Sequence, residues 1–163
     1  MRNAVLIILF SLLIGFVTFN CYMTQEEFEK AHWNEKIQGP IPNFIGSKIE
    51  TLTVQMLPDS GAYYIYKPNN SREEIVNPGN KLRRLFVLGI NVTMAWYRPP
   101  IGGCFKPGSP GSTKTFYPLF FLVRLSKPNK AIEEYNFMQI KVINGFPCPY
   151  DFTLYKPQYN NLK

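Results

Sequence analysis

Acid–base or nucleophilic chemistry needs a titratable side chain held beside a partner, and the candidates in this chain are few. His32 is its single histidine, on a polar stretch beside Trp33, and one imidazole does not make a histidine-rich metal site. The spacings HExxH, CxxC and GxSxG are all absent from the sequence. Glu73-Glu74 and Glu133-Glu134 are adjacent acidic pairs in loop-like segments, where neighbouring side chains tend to point apart, so neither reads as a paired-carboxylate site. A hydrolase would have to gather Asp151, His32 and a hydroxyl from distant segments. The expectation is a non-enzymatic protein without catalytic, metal or cofactor residues.

The three cysteines, Cys21, Cys104 and Cys148, say more when the amino terminus is read with them. Arg2 precedes an apolar run from Ala4 to Val17, interrupted by Ser11 and Gly15, which stops before Gln25-Glu26-Glu27. Spanning a bilayer takes about 20 apolar residues, so the run is short for a membrane helix and has the pattern of an export signal. Residues 1–20 are therefore expected to be a signal segment, with an uncleaved anchor as the alternative. The stretch Val17-Thr18-Phe19-Asn20-Cys21 resembles the end of a bacterial lipoprotein signal, in which the cysteine becomes the first residue and is acylated. Asn20 departs from the Gly, Ala or Ser usual before that cysteine. The resemblance implies lipidation of Cys21 and a tether at the cell envelope; ordinary secretion is the other reading. In either case Cys104 and Cys148 remain as a pair, in a compartment where a disulfide persists.

Other candidate sites are of the binding or modification kind. Asn69-Asn70-Ser71 and Asn91-Val92-Thr93 are sequons that would accept N-glycans in a eukaryotic secretory pathway. Tyr64, Tyr66, Trp96 and Tyr97 could line a groove for a sugar, lipid or peptide, since amphipathic rings offer stacking area and a polar tip; the alternative is that they are core. The net charge of +7 is spread along the chain, with Lys81-Leu82-Arg83-Arg84 the one basic cluster. Such a surplus favours anionic partners, and export argues for a protein, glycan or lipid rather than nucleic acid, with a membrane reached through a lipid anchor.

The elements that must position these residues read as mainly β. Thr24 with Glu27 forms a capping box, flanked by Met23 and Phe28 as a hydrophobic staple, and predicts a short helix from Gln25 to Lys36, ended by Gly39-Pro40 and Pro42. Strands are expected from Ser47 to Met56 and from Ala62 to Tyr66, paired as a hairpin around Pro58-Asp59-Ser60-Gly61. Lys67 to Asn80 reads as a loop, with at most one helical turn capped by Ser71 and Glu74. A core strand is expected from Leu85 to Tyr97, followed by a glycine- and proline-rich loop from Ile101 to Ser112. Phe116 to Leu125 reads as a strand buried on both faces, with further strands at Phe137–Ile143 and Tyr150–Lys156. The expected fold of residues 21–163 is one antiparallel β-sandwich or small barrel of about six to eight strands, after a short N-terminal helix. The alternative function is a carrier holding a lipid or other apolar ligand inside such a fold.

Overall fold

The structure is a computed structural model, and its described residues are 24–31, 40–70, 73–104 and 116–159. The chain divides into two units, Met1–Trp33 and Asn34–Lys163. In the first, helix α1 spans Gln25–Ala31. Its start follows from the capping box: the Thr24 N–H donates to Glu27 Oε2 at 2.8 Å, and the Glu27 N–H donates to Thr24 Oγ1 at 3.2 Å. The expected extension to Lys36, the staple residue Met23, and residues 1–20 lie outside the described residues.

The second unit is mainly β. Its strands are β1 (Asn43–Thr51), β2 (Ala62–Tyr66), β3 (Val92–Arg98), β4 (Phe120–Leu125), β5 (Phe137–Ile140) and β6 (Tyr150–Gln158). All pair antiparallel in one sheet ordered β1-β6-β3-β4-β2-β5. The sheet is open, with β1 and β5 at its edges. Helix α2 (Pro78–Val87) lies against one face, and short 3-10 turns occupy Val54–Met56 and Lys130–Tyr135.

Each face has its own apolar cluster, because strand side chains alternate between faces. On the helix side, Leu82 and Leu85 of α2 meet Tyr64, Tyr66, Ala95, Tyr97, Phe121, Val123, Leu125 and Phe137. On the other side Trp96, Leu122 and Phe152 are covered by Leu52, Leu57, Ile143 and Phe146 from the segments after β1 and β5. β4 is buried on both faces, as its nearly continuous apolar sequence predicts. The two layers of a sandwich are thus replaced by one sheet with a helix on one side and loops on the other.

The main departure from the sequence reading is between Pro78 and Ile90, where a single core strand from Leu85 to Tyr97 and a loop to Asn80 were expected. Alternation across Phe86, Leu88 and Ile90 suits a strand, yet Asn77-Pro78 is a helix start: the Asn77 side chain accepts from the Asn80 N–H at 3.0 Å, and proline at the first helical position loses no ladder bond. Gly89, at φ 82°, takes the left-handed conformation that lets the chain leave the helix. β3 begins only at Val92. Residues 73–75 form no helical turn, and Ser71 lies outside the described residues.

Smaller corrections follow from pairing. β1 starts at Asn43 and ends at Thr51, and Val54 and Met56 fall in a 3-10 turn. β1 and β2 do not form a hairpin; β1 pairs with β6, and β2 sits between β4 and β5. β5 is shorter than expected and stops at Ile140, whereas β6 runs on to Gln158.

Candidate binding surfaces

The expected disulfide is formed: Cys104 and Cys148 have their sulfurs 2.00 Å apart and Cα atoms 5.8 Å apart. It ties the segment after β3 to the segment before β6. Close by, Arg98 at the end of β3 is only 2 % exposed. Its Nη1 donates to the Cys148 carbonyl, and its guanidinium carbon stands 5.1 Å from the Phe152 ring centroid, 5.8 Å from Phe120 and 5.9 Å from Tyr117. Phe120, Phe146 and Phe152 meet edge to face at 5.5–5.6 Å, completing an aromatic box around the cation. Nε of Arg98 has no hydrogen-bond partner among the described residues. Desolvation pulls its pKa below that of a free guanidinium.

The four aromatic residues expected to line a groove are split between the two faces of the sheet. Tyr64, Tyr66 and Tyr97 belong to the helix-side core and Trp96 to the opposite cluster, and all four are buried. Tyr64 Oη accepts from the Asn129 N–H at 2.9 Å, and Tyr97 Oη donates to the Ile75 carbonyl at 3.2 Å, so the polar tips serve the fold. Tyr66 joins a polar cluster at the margin of the core. Its hydroxyl donates to Glu73 Oε1 at 2.5 Å, Glu73 Oε2 accepts from the Asn69 N–H at 2.6 Å, and Lys81 Nζ lies 4.0 Å from the Tyr66 ring centroid. Burial, helped by the Glu73 carboxylate, pushes the Tyr66 phenol up to about 12, while desolvation pulls Lys81 down.

A cleft that the sequence did not announce opens at the β2–β5 end of the sheet. It has a volume of about 390 Å³ and is walled by Val54, Leu57, Tyr63, Ile140 and Ile143, with Asp59 and Lys141 as its charged lining. Tyr63 donates from Oη to the Pro58 carbonyl at 2.5 Å, fixing the turn that forms one wall. Exposed apolar residues flank it: Met56 precedes Leu57, Val142 lies between Lys141 and Ile143, and Met138 is two residues before Ile140 on the same face. Its lining comes from a turn, a strand edge and a loop, which share no sequence period.

The other candidates are placed as follows. Asn69 and Asn91 are both exposed, Asn91 in the turn before β3 rather than within it. Asn69 Oδ1 already accepts from Asn136 Nδ2 at 3.4 Å. Asp151 is exposed, in the left-handed conformation at φ 59°, and faces Lys48. Glu133 and Glu134 are exposed on the second 3-10 turn. Cys21 and His32 lie outside the described residues. Among the described residues no three His, Cys, Asp or Glu side chains gather as a metal site would require, and no helix is long and apolar enough to cross a membrane. The chain matches no protein family, curated protein or solved structure to which it was compared.

Proposed function

We propose that this chain is an exported, non-enzymatic binding module, secreted or held at the cell envelope by a lipid on Cys21, which contacts a protein partner through the β2–β5 end of its sheet. The observation that supports this reading is the cleft there, flanked by Met56, Met138 and Val142, which are 58 %, 42 % and 71 % exposed. Exposed apolar residues gathered at a concave site mark interaction surfaces in soluble proteins. Proximity labelling from the full chain in its native host tests it, with Met138→Asp/Val142→Asp as the comparison. Neighbours labelled by the wild type should be lost with the variant; an unchanged set would refute the surface. Intact mass of the mature protein, with Cys21→Ala as control, tests the export and lipid steps.

A second reading, a carrier of a lipid or other apolar ligand, is favoured by the cleft's size, which lies within the roughly 300–1,000 Å³ of small-molecule sites. Native mass spectrometry of the purified protein would detect a retained ligand. Its absence, with no uptake of added fatty acid, removes this reading.

A further inference from the structure

Asn144-Gly145 is the only asparagine–glycine step in the chain. It lies in the irregular segment between β5 and β6, and both residues are exposed. Gly145 has φ 151°, a conformation that favours glycine, and apart from its chain neighbours nothing stands within 4 Å of where a Cβ would be. Among the described residues neither the Asn144 carboxamide nor the Gly145 N–H has a hydrogen-bond partner. An electrophilic carbon and a main-chain nitrogen are thus held next to each other in the sequence, both free and both unobstructed. Ring closure between such neighbours gains from proximity.

Most other asparagines lack one part of this arrangement. Asn43, Asn69, Asn77, Asn129 and Asn136 hold their carboxamides in hydrogen bonds. Asn80 is followed by an N–H that helix α2 uses, since the Lys81 N–H donates to the Asn77 carbonyl at 3.2 Å. Asn91 is followed by Val92, whose branched side chain crowds the attacking nitrogen.

We propose that Asn144 is a site of spontaneous deamidation. The Gly145 nitrogen gives up its proton to water or hydroxide and attacks Asn144 Cγ. The new C–N bond closes a succinimide, and the carboxamide nitrogen takes a proton and leaves as ammonia. Water then opens the ring at either carbonyl, which yields aspartate or isoaspartate. Water is the only reactant consumed. Either product brings a negative charge, and isoaspartate lengthens the main chain by a methylene, one residue past Ile143 in the loop that walls the cleft. The cleft of an aged chain therefore differs from that of a new one.

Intact mass and peptide mapping of the purified, disulfide-bonded full chain, stored at neutral and at mildly alkaline pH, test this. The wild type should gain the mass of one deamidation, mapped to Asn144. Isoaspartate should be the larger product, and the rate should rise with pH because the attacking nitrogen must lose its proton. Asn144→Gln should stay unchanged, since the longer side chain would have to close a larger ring. Thermal unfolding checks that this variant folds. Loss of an amide first at another asparagine overturns the proposal. So does a folded chain that keeps the Asn144 amide while the urea-unfolded chain loses it, because the fold would then shield the site. Aspartate as the sole product also overturns it, because isoaspartate marks the ring.

Discussion

A guanidinium removed from water is costly unless its charge and donors are met. Among the described residues Arg98 meets that demand in part, with aromatic faces and one carbonyl, that of Cys148, rather than with a carboxylate, and its Nε stays without a partner. Arg98→Ala removes the stacked side chain and strips the carbonyl of its donor, and should lower stability by about 3 kcal/mol in urea denaturation. Arg98→Met keeps the volume, removes the buried charge, and should recover most of that loss; equal destabilisation by Met and Ala would contradict this account. Tyr66 gives a pH signature. Its folded pKa, about 12, lies above the ordinary 10.0 of an unfolded tyrosine. The folded state therefore holds the proton more tightly, and the associated stability is complete below pH 10 and lost as pH rises toward 12. Tyr66→Phe should flatten that alkaline decline in denaturation midpoints, at a cost of about 1 kcal/mol at neutral pH for the lost hydrogen bond. The cysteine pair was legible from the sequence by counting, once Cys21 is set aside with the expected signal segment. The burial of Arg98 was not, since an arginine after Trp96-Tyr97 and before two prolines reads as the solvated end of a strand.

Helix α2 is where local signals and apolar alternation compete. Asn77 caps it through the Asn80 N–H, and Asn77→Ala should cost about 1 kcal/mol of stability. Gly79 sits against β1: a Cβ there would lie 2.8 Å from the Phe44 carbonyl oxygen, so Gly79→Ala must push the helix off the strand. It should destabilise by more than the cap variant despite alanine's better helix propensity. A stability gain would show that the helix shifts freely. The carbonyl is open to the helix because Phe44 stands opposite Pro157, which has no N–H: that pair is a non-hydrogen-bonded one, and Phe44 turns its C=O away from β6. Helix α1 was readable from its cap, β2 and β6 from the turn signals before them, and β4 from its continuous apolar run, which began at Phe116 in the sequence and at Phe120 in the sheet. Residues 85–91 were misread because Phe86, Leu88 and Ile90 fit a strand's alternation, while Leu82, Leu85 and Phe86 fit a helix's stripe equally well. Asn77-Pro78 and Gly89 decide between them.

At the scale of the molecule, the mainly β antiparallel character was legible and the number of layers was not. Six strands can stack in two sheets or lie in one, and the choice depends on whether α2 and the segments holding Leu52, Leu57 and Phe146 can cover both faces. The Cys104–Cys148 bond closes 44 residues of chain, and the chain-entropy model gives it about 4 kcal/mol. Cys104→Ser/Cys148→Ser should lose a comparable amount in chemical denaturation under non-reducing conditions, and reductant should reproduce the loss in the wild type but not in the variant.

The strand order also governs when this molecule can exist at all. β6, from Tyr150 to Gln158, follows the other five described strands in the chain, yet it is wedged between β1 and β3. Until Tyr150–Gln158 has left the ribosome, β1 has no ladder partner among the described strands, and the sheet lacks the piece that joins β1 to the rest.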